Sequence, residues 1–279
     1  SHLYVHDVAR SESMQITSGD HDEALPAWSP DGKQIAYVTR RGGEPDRHSN
    51  FDIYLVEPRA GATERRLTTF DGADNDPDLG SPISWSPDGR QLAFVQGGED
   101  KWIYYAPHQL AIVDVATGRT RVPAPIDRWF TQPRWSPDGR SVLALIEQSR
   151  VINLSRIEVA SGKVTPLTTG PRYDAGFALS PRGRIVVLGG DDVTPYELAA
   201  LEQGMLRPLG SHNEWLAQKK LARFEDITFK SADGTPIDGL LVKPLDYVPG
   251  RRYPAILRIH GGPVSQFAHE FMPDWQAYA

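Results

Sequence analysis

A repeated turn sequence constrains the fold of this chain more than any other feature. Trp-Ser-Pro-Asp-Gly occurs at Trp28–Gly32, Trp85–Gly89 and Trp135–Gly139, and a degenerate copy, Leu-Ser-Pro-Arg-Gly, occurs at Leu179–Gly183. The motif suits a tight turn, because Pro presets φ, Asp is favoured in turns, and Gly readily adopts a positive φ. Successive copies lie 57, 50 and 44 residues apart. The spacing therefore predicts a structural unit that recurs along the chain.

Each copy is followed by a short apolar run, which indicates a strand buried on both faces. These runs are 35–38, 92–95, 142–145 and 185–188. A strand–turn–strand unit alternates with them, at 3–17, 53–68, 110–122, 154–168 and 198–209. A period of about 40–50 residues is typical of propeller blades. The pattern predicts a mainly β fold, an incomplete β-propeller of four-stranded blades, in which residues 1–211 form a half-blade and four blades.

The composition narrows the classes of partner. Hydrophobic residues make up 39% and charged residues 24% of the chain, with 25 Gly and 23 Pro, as expected of a globular fold with many turns. The net charge of −6 and the absence of basic clusters argue against nucleic acid and anionic membranes as partners. There is no cysteine, and no apolar run approaches the roughly 20 residues of a membrane-spanning helix.

A change of pattern after residue 211 predicts a second domain. Residues 212–223 favour a helix and are interpreted as a linker. Residues 224–279 begin with a predicted strand–turn–strand around Asp233-Gly234. A further predicted strand, Ala255–Ile259, leads directly into His260-Gly261-Gly262-Pro263. Consecutive glycines allow the backbone to approach a ligand closely.

These segments, together with the preceding repeats, resemble the prolyl oligopeptidase family. The resemblance rests on Glu225–Phe229, Asp233-Gly234 and His260–Pro263, in that order after Trp-Ser-Pro-Asp-Gly repeats, and is strongest to the acylaminoacyl-peptidase and dipeptidyl-peptidase branch. It implies that residues 224–279 start an α/β-hydrolase domain. It further implies a serine peptidase that cleaves short peptides or N-terminal residues through an acyl-enzyme, with no cofactor.

The resemblance assigns an oxyanion-binding role to the His-Gly-Gly-Pro loop. We place one donor at the N–H of Gly262, with Gly261 giving the loop its conformational freedom. His260 is expected to brace the loop, although direct help from its imidazole to the oxyanion is the alternative. Pro263 has no N–H to donate.

The nucleophile of this fold lies in a Gly-x-Ser-x-Gly elbow. That pattern is absent from the 279 residues, and Ser265 lacks the flanking glycines. We therefore expect the Ser, Asp and His of the triad after Ala279, in about 200 further residues that complete the hydrolase domain. The remainder of that domain and the peptide substrate are the predicted partners, and the present chain is expected to be inactive alone. Whether the protein forms a homo-oligomer stays open.

No functional role is assigned to a loop rich in aspartate or to seven of the histidines. The loop that contains Asp71, Asp74, Asp76 and Asp78 matches no EF-hand spacing, so it is interpreted as a solvated connector and no metal site is predicted. Seven histidines are interpreted as solvated loop or edge residues; they are His2, His6, His21, His48, His108, His212 and His269.

Clustered aromatic residues on long loops mark a candidate substrate-facing surface of the propeller. They are Trp102, Tyr104, Tyr105, Trp129 and Phe130. The alternative is that these rings only pack the edges of blades.

Two other functions remain open. One is a propeller that acts purely as an interaction module, as in the Tol system; residues after Phe224 argue against it. The other is a carboxylesterase with the same oxyanion loop. The start, Ser1-His2-Leu3-Tyr4, has no features of a signal peptide. Localisation stays open, with the cytoplasm favoured and the periplasm as the alternative.

Overall fold

The computed structural model describes residues 1–42, 44, 47–102, 105–262 and 264–279. The chain divides into two compact units. The first comprises residues 1–146 and 155–165, and the second comprises residues 147–154 and 166–279. None of the helices formed by these described residues is long and apolar enough to cross a membrane.

The first unit consists of short antiparallel sheets in chain order. A two-stranded hairpin comes first, β1 (Tyr4–Asp7) with β2 (Glu12–Gln15). The next sheet has the order β3 (Glu23–Trp28), β4 (Ile35–Thr39), β5 (Asp52–Val56) and β6 (Arg65–Arg66). In the following sheet β7 (Gly72–Asp74) and β8 (Ser84–Trp85) both pair with β9 (Gln91–Glu99), which pairs with β10 (Gln109–Asp114) and then β11 (Thr120–Arg121). Short 3-10 helices lie at Pro77–Leu79 and Asp100–Trp102.

The next strands lead from the first unit into the second. They are β12 (Trp129–Trp135), β13 (Ser141–Gln148), β14 (Val151–Glu158) and β15 (Val164–Pro166). The second unit continues with the antiparallel strands β16 (Tyr173–Leu179), β17 (Ile185–Asp191), β18 (Thr194–Glu202) and β19 (Met205–Pro208). A hairpin followed by a four-stranded, a five-stranded and an eight-stranded sheet confirms the predicted mainly β, propeller-type fold, while the count of a half-blade and four blades stays a prediction.

The remaining elements all belong to the second unit. A 3-10 helix, Glu214–Gln218, is the helical part of the segment 212–223. The predicted strand–turn–strand forms as β20 (Phe224–Lys230) paired with β21 (Pro236–Val242). One short helix, α1 (Pro273–Tyr278), follows. The division into a propeller over 1–211 and a hydrolase start at 224 stays a prediction.

The repeated turn is held by a self-contained set of hydrogen bonds. In the first copy the Ser29 hydroxyl donates to Asp31 Oδ1 (2.7 Å) and accepts from the Gln34 N–H (2.9 Å), while Gly32 has a φ of +70°. The same bonds recur in the second and third copies. The hydrogen bond from serine holds the pKa of the turn aspartate below its ordinary value in all three copies. The motif thus stabilises each turn within about six residues.

A second repeat, which the sequence analysis missed, lies between successive groups of strands. At three such joins a buried threonine lies six residues before a buried carboxylate, and its hydroxyl accepts a backbone N–H at 2.9 Å. The hydroxyl also hydrogen-bonds to that carboxylate. The three pairs are Thr17–Glu23 (first join), Thr68–Asp74 (second join) and Thr168–Asp174 (third join).

Asp74 overturns the interpretation of its loop as a solvated connector. Its side chain is fully buried, because Gly72–Asp74 forms β7 and pairs with β9, and Gln96 Nε2 donates to Asp74 Oδ1 at 2.8 Å. Asp76 is also buried and caps the 3-10 helix that starts at Pro77. Burial raises the pKa of Asp74 to about 6, although the hydrogen bond from Gln96 acts in the other direction.

Asp74→Asn is expected to stabilise the chain more strongly as the pH rises. The folded native chain binds the Asp74 proton more tightly than the unfolded chain does. Proton binding therefore stabilises the native chain fully below about pH 4, and this stabilisation is lost as the pH rises through about 6. The difference in pKa corresponds to about 3 kcal/mol, and the amide avoids it. Urea unfolding of the variant and the native chain at about pH 4 and about pH 8 measures the change. Asp71→Asn, on the exposed neighbour, is the control. A stability difference that does not change with pH would contradict the prediction.

Candidate active-site loop

The segment before the His-Gly-Gly loop does not form the predicted strand. Residues 251–260 have no regular secondary structure, and Ile256, Leu257 and Ile259 are 73%, 86% and 78% exposed. An extended segment needs a neighbour to pair its backbone groups. No described residue pairs with this one in a sheet. The prediction of a strand at Ala255–Ile259 is therefore wrong for this structure.

The loop itself requires glycine at one position. Gly262 has a φ of +136°, and a Cβ there would lie 2.7 Å from the backbone nitrogen of Val264. Gly261 has a φ outside the positive region and open space around its Cβ position. His260, Gly261 and Gly262 are all exposed, whereas Pro263 lies outside the described residues. The backbone geometry at Gly262 is thus unusual, while that at Gly261 tolerates a side chain.

The imidazole of His260 contacts its own loop. Its Nδ1 lies 2.8 Å from the carbonyl oxygen of Gly261, and its ring meets Phe267 edge-on with 6.0 Å between centroids. Phe267 contacts Trp275 edge-on at 5.0 Å, and Trp275 in turn packs on Phe224 at 5.0 Å. Trp275 and Phe224 are buried. These contacts favour the bracing role of His260, which stays a prediction.

Arg150 connects the segment after the loop to the hairpin β20–β21. This residue and Ser149 form the tip between β13 and β14 with φ of +67° and +46°. The Arg150 guanidinium pairs with Asp226 (Nε to Oδ1, 2.5 Å) and Asp238 (Nη1 to Oδ2, 3.0 Å). Its backbone N–H donates to Gln266 Oε1 at 3.1 Å. One residue therefore fixes both the hairpin and the segment that follows the loop.

His269 is buried, so its interpretation as a solvated residue is wrong. Its Nδ1 lies 2.8 Å from Asp192 Oδ1 and its Nε2 lies 3.2 Å from Asp226 Oδ1, while its N–H donates to the Arg150 carbonyl at 2.8 Å. Asp192 is also buried, and its Oδ2 accepts the Phe224 N–H at 3.0 Å. Burial acts to raise the pKa of Asp226, but hydrogen bonds from Arg150 and His269 hold it below its ordinary value.

The aromatic candidates of the first unit differ in exposure. Trp102 and Tyr105 are 53% and 66% exposed, and Trp129 is half-buried and stacked on His108 at 4.2 Å. Phe130 is fully buried in a hydrophobic cluster, so it is a core residue and not a surface contact. Tyr104 lies outside the described residues. Trp102, Tyr105 and Trp129 stay predictions as substrate contacts.

His108 provides a second correction among the histidines. It is buried, and burial lowers the pKa of its imidazole to about 4. It is therefore neutral at physiological pH and serves as packing for Trp129. The local sequence around a histidine does not show whether the side chain is buried in a core or exposed to solvent.

Comparison with known proteins finds relatives of similar sequence and solved structures of similar fold. No protein-family model matches the chain. Dipeptidyl-peptidase 5 from Porphyromonas gingivalis is 27% identical over 266 residues, which cover 86% of this chain and 35% of the relative. The solved structure of Pyrococcus horikoshii acylaminoacyl peptidase matches with a TM-score of 0.76 and 21% identity, over 99% of this chain and 41% of that one. A Tol-Pal system protein TolB from Francisella tularensis is 24% identical over 63% of this chain and 47% of its own length.

The likeness to the solved structures lies in the fold. A four-stranded, a five-stranded and an eight-stranded sheet follow one another along the chain, and together they form a propeller-like region similar to that of the matched peptidase structures. The chain resembles the prolyl oligopeptidase family, and it spans about a third of the length of the peptidase relative from P. gingivalis.

Proposed function

We propose that this chain is the N-terminal part of a serine peptidase that releases short peptides or N-terminal residues by acyl-enzyme catalysis. The observation that carries the proposal is the His260–Gly262 loop, which follows the hairpin β20–β21 in the order of the family resemblance. The proposal is supported by the similarity of the chain to proteins that are named as peptidases. The whole protein would supply the serine nucleophile and its partners.

The loop would act on the charge that develops during acyl transfer. Attack on a carbonyl places negative charge on its oxygen, and a preorganised N–H donor at that point contributes about 3–4 kcal/mol. The Gly262 N–H is our candidate donor, because the exposed, positive-φ backbone there cannot be replaced by an ordinary residue without strain. Trp102, Tyr105 and Trp129 would contact the peptide before cleavage.

A protein extended to the length of its relatives tests the proposal. It is expected to react with a fluorophosphonate probe and to hydrolyse a dipeptidyl anilide or an acetyl-aminoacyl anilide, and comparison of the two gives the substrate class. The 279-residue chain alone should neither react nor hydrolyse, because it lacks Gly-x-Ser-x-Gly. A longer protein that cleaves only simple esters would favour the carboxylesterase.

The second candidate function is a propeller that binds a protein partner. The match to TolB favours it, since that match covers 63% of this chain. The hairpin β20–β21 and the glycine loop weigh against it, because a binding propeller does not require them. A longer protein that neither reacts with the probe nor hydrolyses either anilide would overturn the peptidase proposal and leave the binding module.

A further inference from the structure

A group of metal-ligating side chains lies at the first join, in the first unit. His21, Glu23 and Glu64 each offer one ligand atom, and these three atoms lie within 4.8 Å of one another. Glu23 begins β3, and its side chain has no exposed surface. His21 and Glu64 are half-buried. The sequence analysis had predicted no metal site.

Two buried polar atoms in this group have no hydrogen-bond partner among the described residues. They are His21 Nε2 and Glu23 Oε1, which face each other at 3.4 Å. The other carboxylate oxygen of Glu23 accepts from Thr17 at 3.0 Å. At the third join, by contrast, both oxygens of Asp174 have partners. A buried carboxylate oxygen that accepts no hydrogen bond costs free energy, so a cation bound at the first join would stabilise Glu23 Oε1.

The distance between the ligand atoms of His21 and Glu23 fits a tetrahedral cation. Zinc binds imidazole nitrogen and carboxylate oxygen at about 2.0–2.2 Å, which puts neighbouring ligand atoms about 3.4 Å apart. The distance from His21 Nε2 to Glu23 Oε1 is 3.4 Å. Mixed imidazole and carboxylate ligands favour a borderline divalent ion over calcium or magnesium.

The loop that carries His21 is shaped around its ring. Gly19 has a φ of +125°, and a Cβ there would lie 2.5 Å from His21 Cε1. The imidazole therefore lies against a position that only glycine leaves free. This contact fixes the ring beside Glu23.

Arg41 sets the charge of the group. Its guanidinium pairs with Glu64 and lies 3.8 Å from Glu23 Oε1, and the Tyr37 hydroxyl also donates to Glu64. Burial acts to raise the pKa of Glu64, but hydrogen bonds from Tyr37 and Arg41 hold it below its ordinary value. Glu23 and Glu64 thus place two carboxyl groups beside the single guanidinium of Arg41. Arg41 therefore weakens a divalent site by competing for Glu64, but does not cancel its attraction.

We propose that His21 Nε2, Glu23 Oε1 and a Glu64 oxygen bind a divalent ion of the zinc type, with the fourth position open to water. The ion would connect the segment before β3 to the segment before β6. This site is independent of the proposed peptidase activity, and either proposal can fail alone.

Calorimetric titration of the 279-residue chain with zinc chloride at neutral pH tests the site. We expect one ion per chain and a rise in Tm on binding. Glu23→Gln and His21→Ala should each weaken affinity at least about tenfold, as loss of a direct ligand exceeds the effect of an outer-shell change. Arg41→Gln should strengthen it, because Glu64 loses its competing partner.

Matched controls separate this site from weak binding elsewhere. His6→Ala removes an exposed histidine of β1 and should leave affinity unchanged. Circular dichroism must show each variant folded, and Arg41→Gln gives a readout that does not depend on losing a ligand. The proposal is wrong if the native chain and Arg41→Gln both fail to bind zinc. It is also wrong if His2→Ala abolishes binding while His21→Ala does not, which would indicate an adventitious ion at the chain terminus.

Discussion

Gly262→Ala in a longer protein that carries the catalytic serine is expected to lower kcat about a hundredfold, with a smaller change in KM. The φ of +136° at Gly262 is strained for any side chain, and the new Cβ would lie 2.7 Å from the Val264 nitrogen. The loop must therefore shift, and the Gly262 N–H moves away from the oxyanion. Proline is a poorer test, because its φ of about −65° would disrupt the loop outright.

Gly261→Ala is the matched control for this prediction. The position has no positive φ and none of the described residues has an atom near the added Cβ, so the loop can keep its shape. Steady-state kinetics on a peptide anilide, with thermal melting to verify the fold, compare the two variants. Equal losses in kcat would mean that the donor is not the Gly262 N–H.

The blades could be predicted from sequence because their turns are locally determined. Ser29, Asp31 and Gly32 make their defining hydrogen bonds within the same turn, so the residues and their geometry recur together. The hairpin around Asp233-Gly234 is predictable for the same reason, since the Asp233 side chain accepts from the Thr235 N–H at 3.0 Å. Turns whose hydrogen bonds all form within the same segment can be recognised from five or six consecutive residues.

The supports of the loop could not be predicted, because their partners are distant in sequence. His269 and Asp192 are 77 residues apart, and Arg150 and Gln266 are 116 residues apart. Neither residue of such a pair carries a local pattern. The segment Ala255–Ile259 shows the converse error, in which a local apolar pattern predicts a strand although pairing depends on neighbours elsewhere.

Asp192 is expected to be the most important single side chain for the stability of the second unit. Asp192→Ala leaves the Phe224 N–H without its acceptor and the buried His269 without its Nδ1 partner. Removal of one member of a buried hydrogen-bonded pair costs about 3 kcal/mol or more. Urea unfolding measures this loss. Amide hydrogen exchange should also show faster exchange at Phe224.

Two neighbouring substitutions make the Asp192 prediction specific. Asp192→Asn should cost less than alanine, because its amide oxygen can still accept from Phe224 and its amide nitrogen can donate to an unprotonated Nδ1 of His269. Asp191→Ala removes a carboxylate that accepts only the Val193 and Thr194 N–H groups of the turn between β17 and β18. It should cost about 1 kcal/mol, the ordinary value of a turn or cap contact. If Asp191→Ala and Asp192→Ala destabilise equally, the buried contacts of Asp192 do not hold Phe224 and His269 together, and the loop must derive its support from Arg150 and the packing of Trp275.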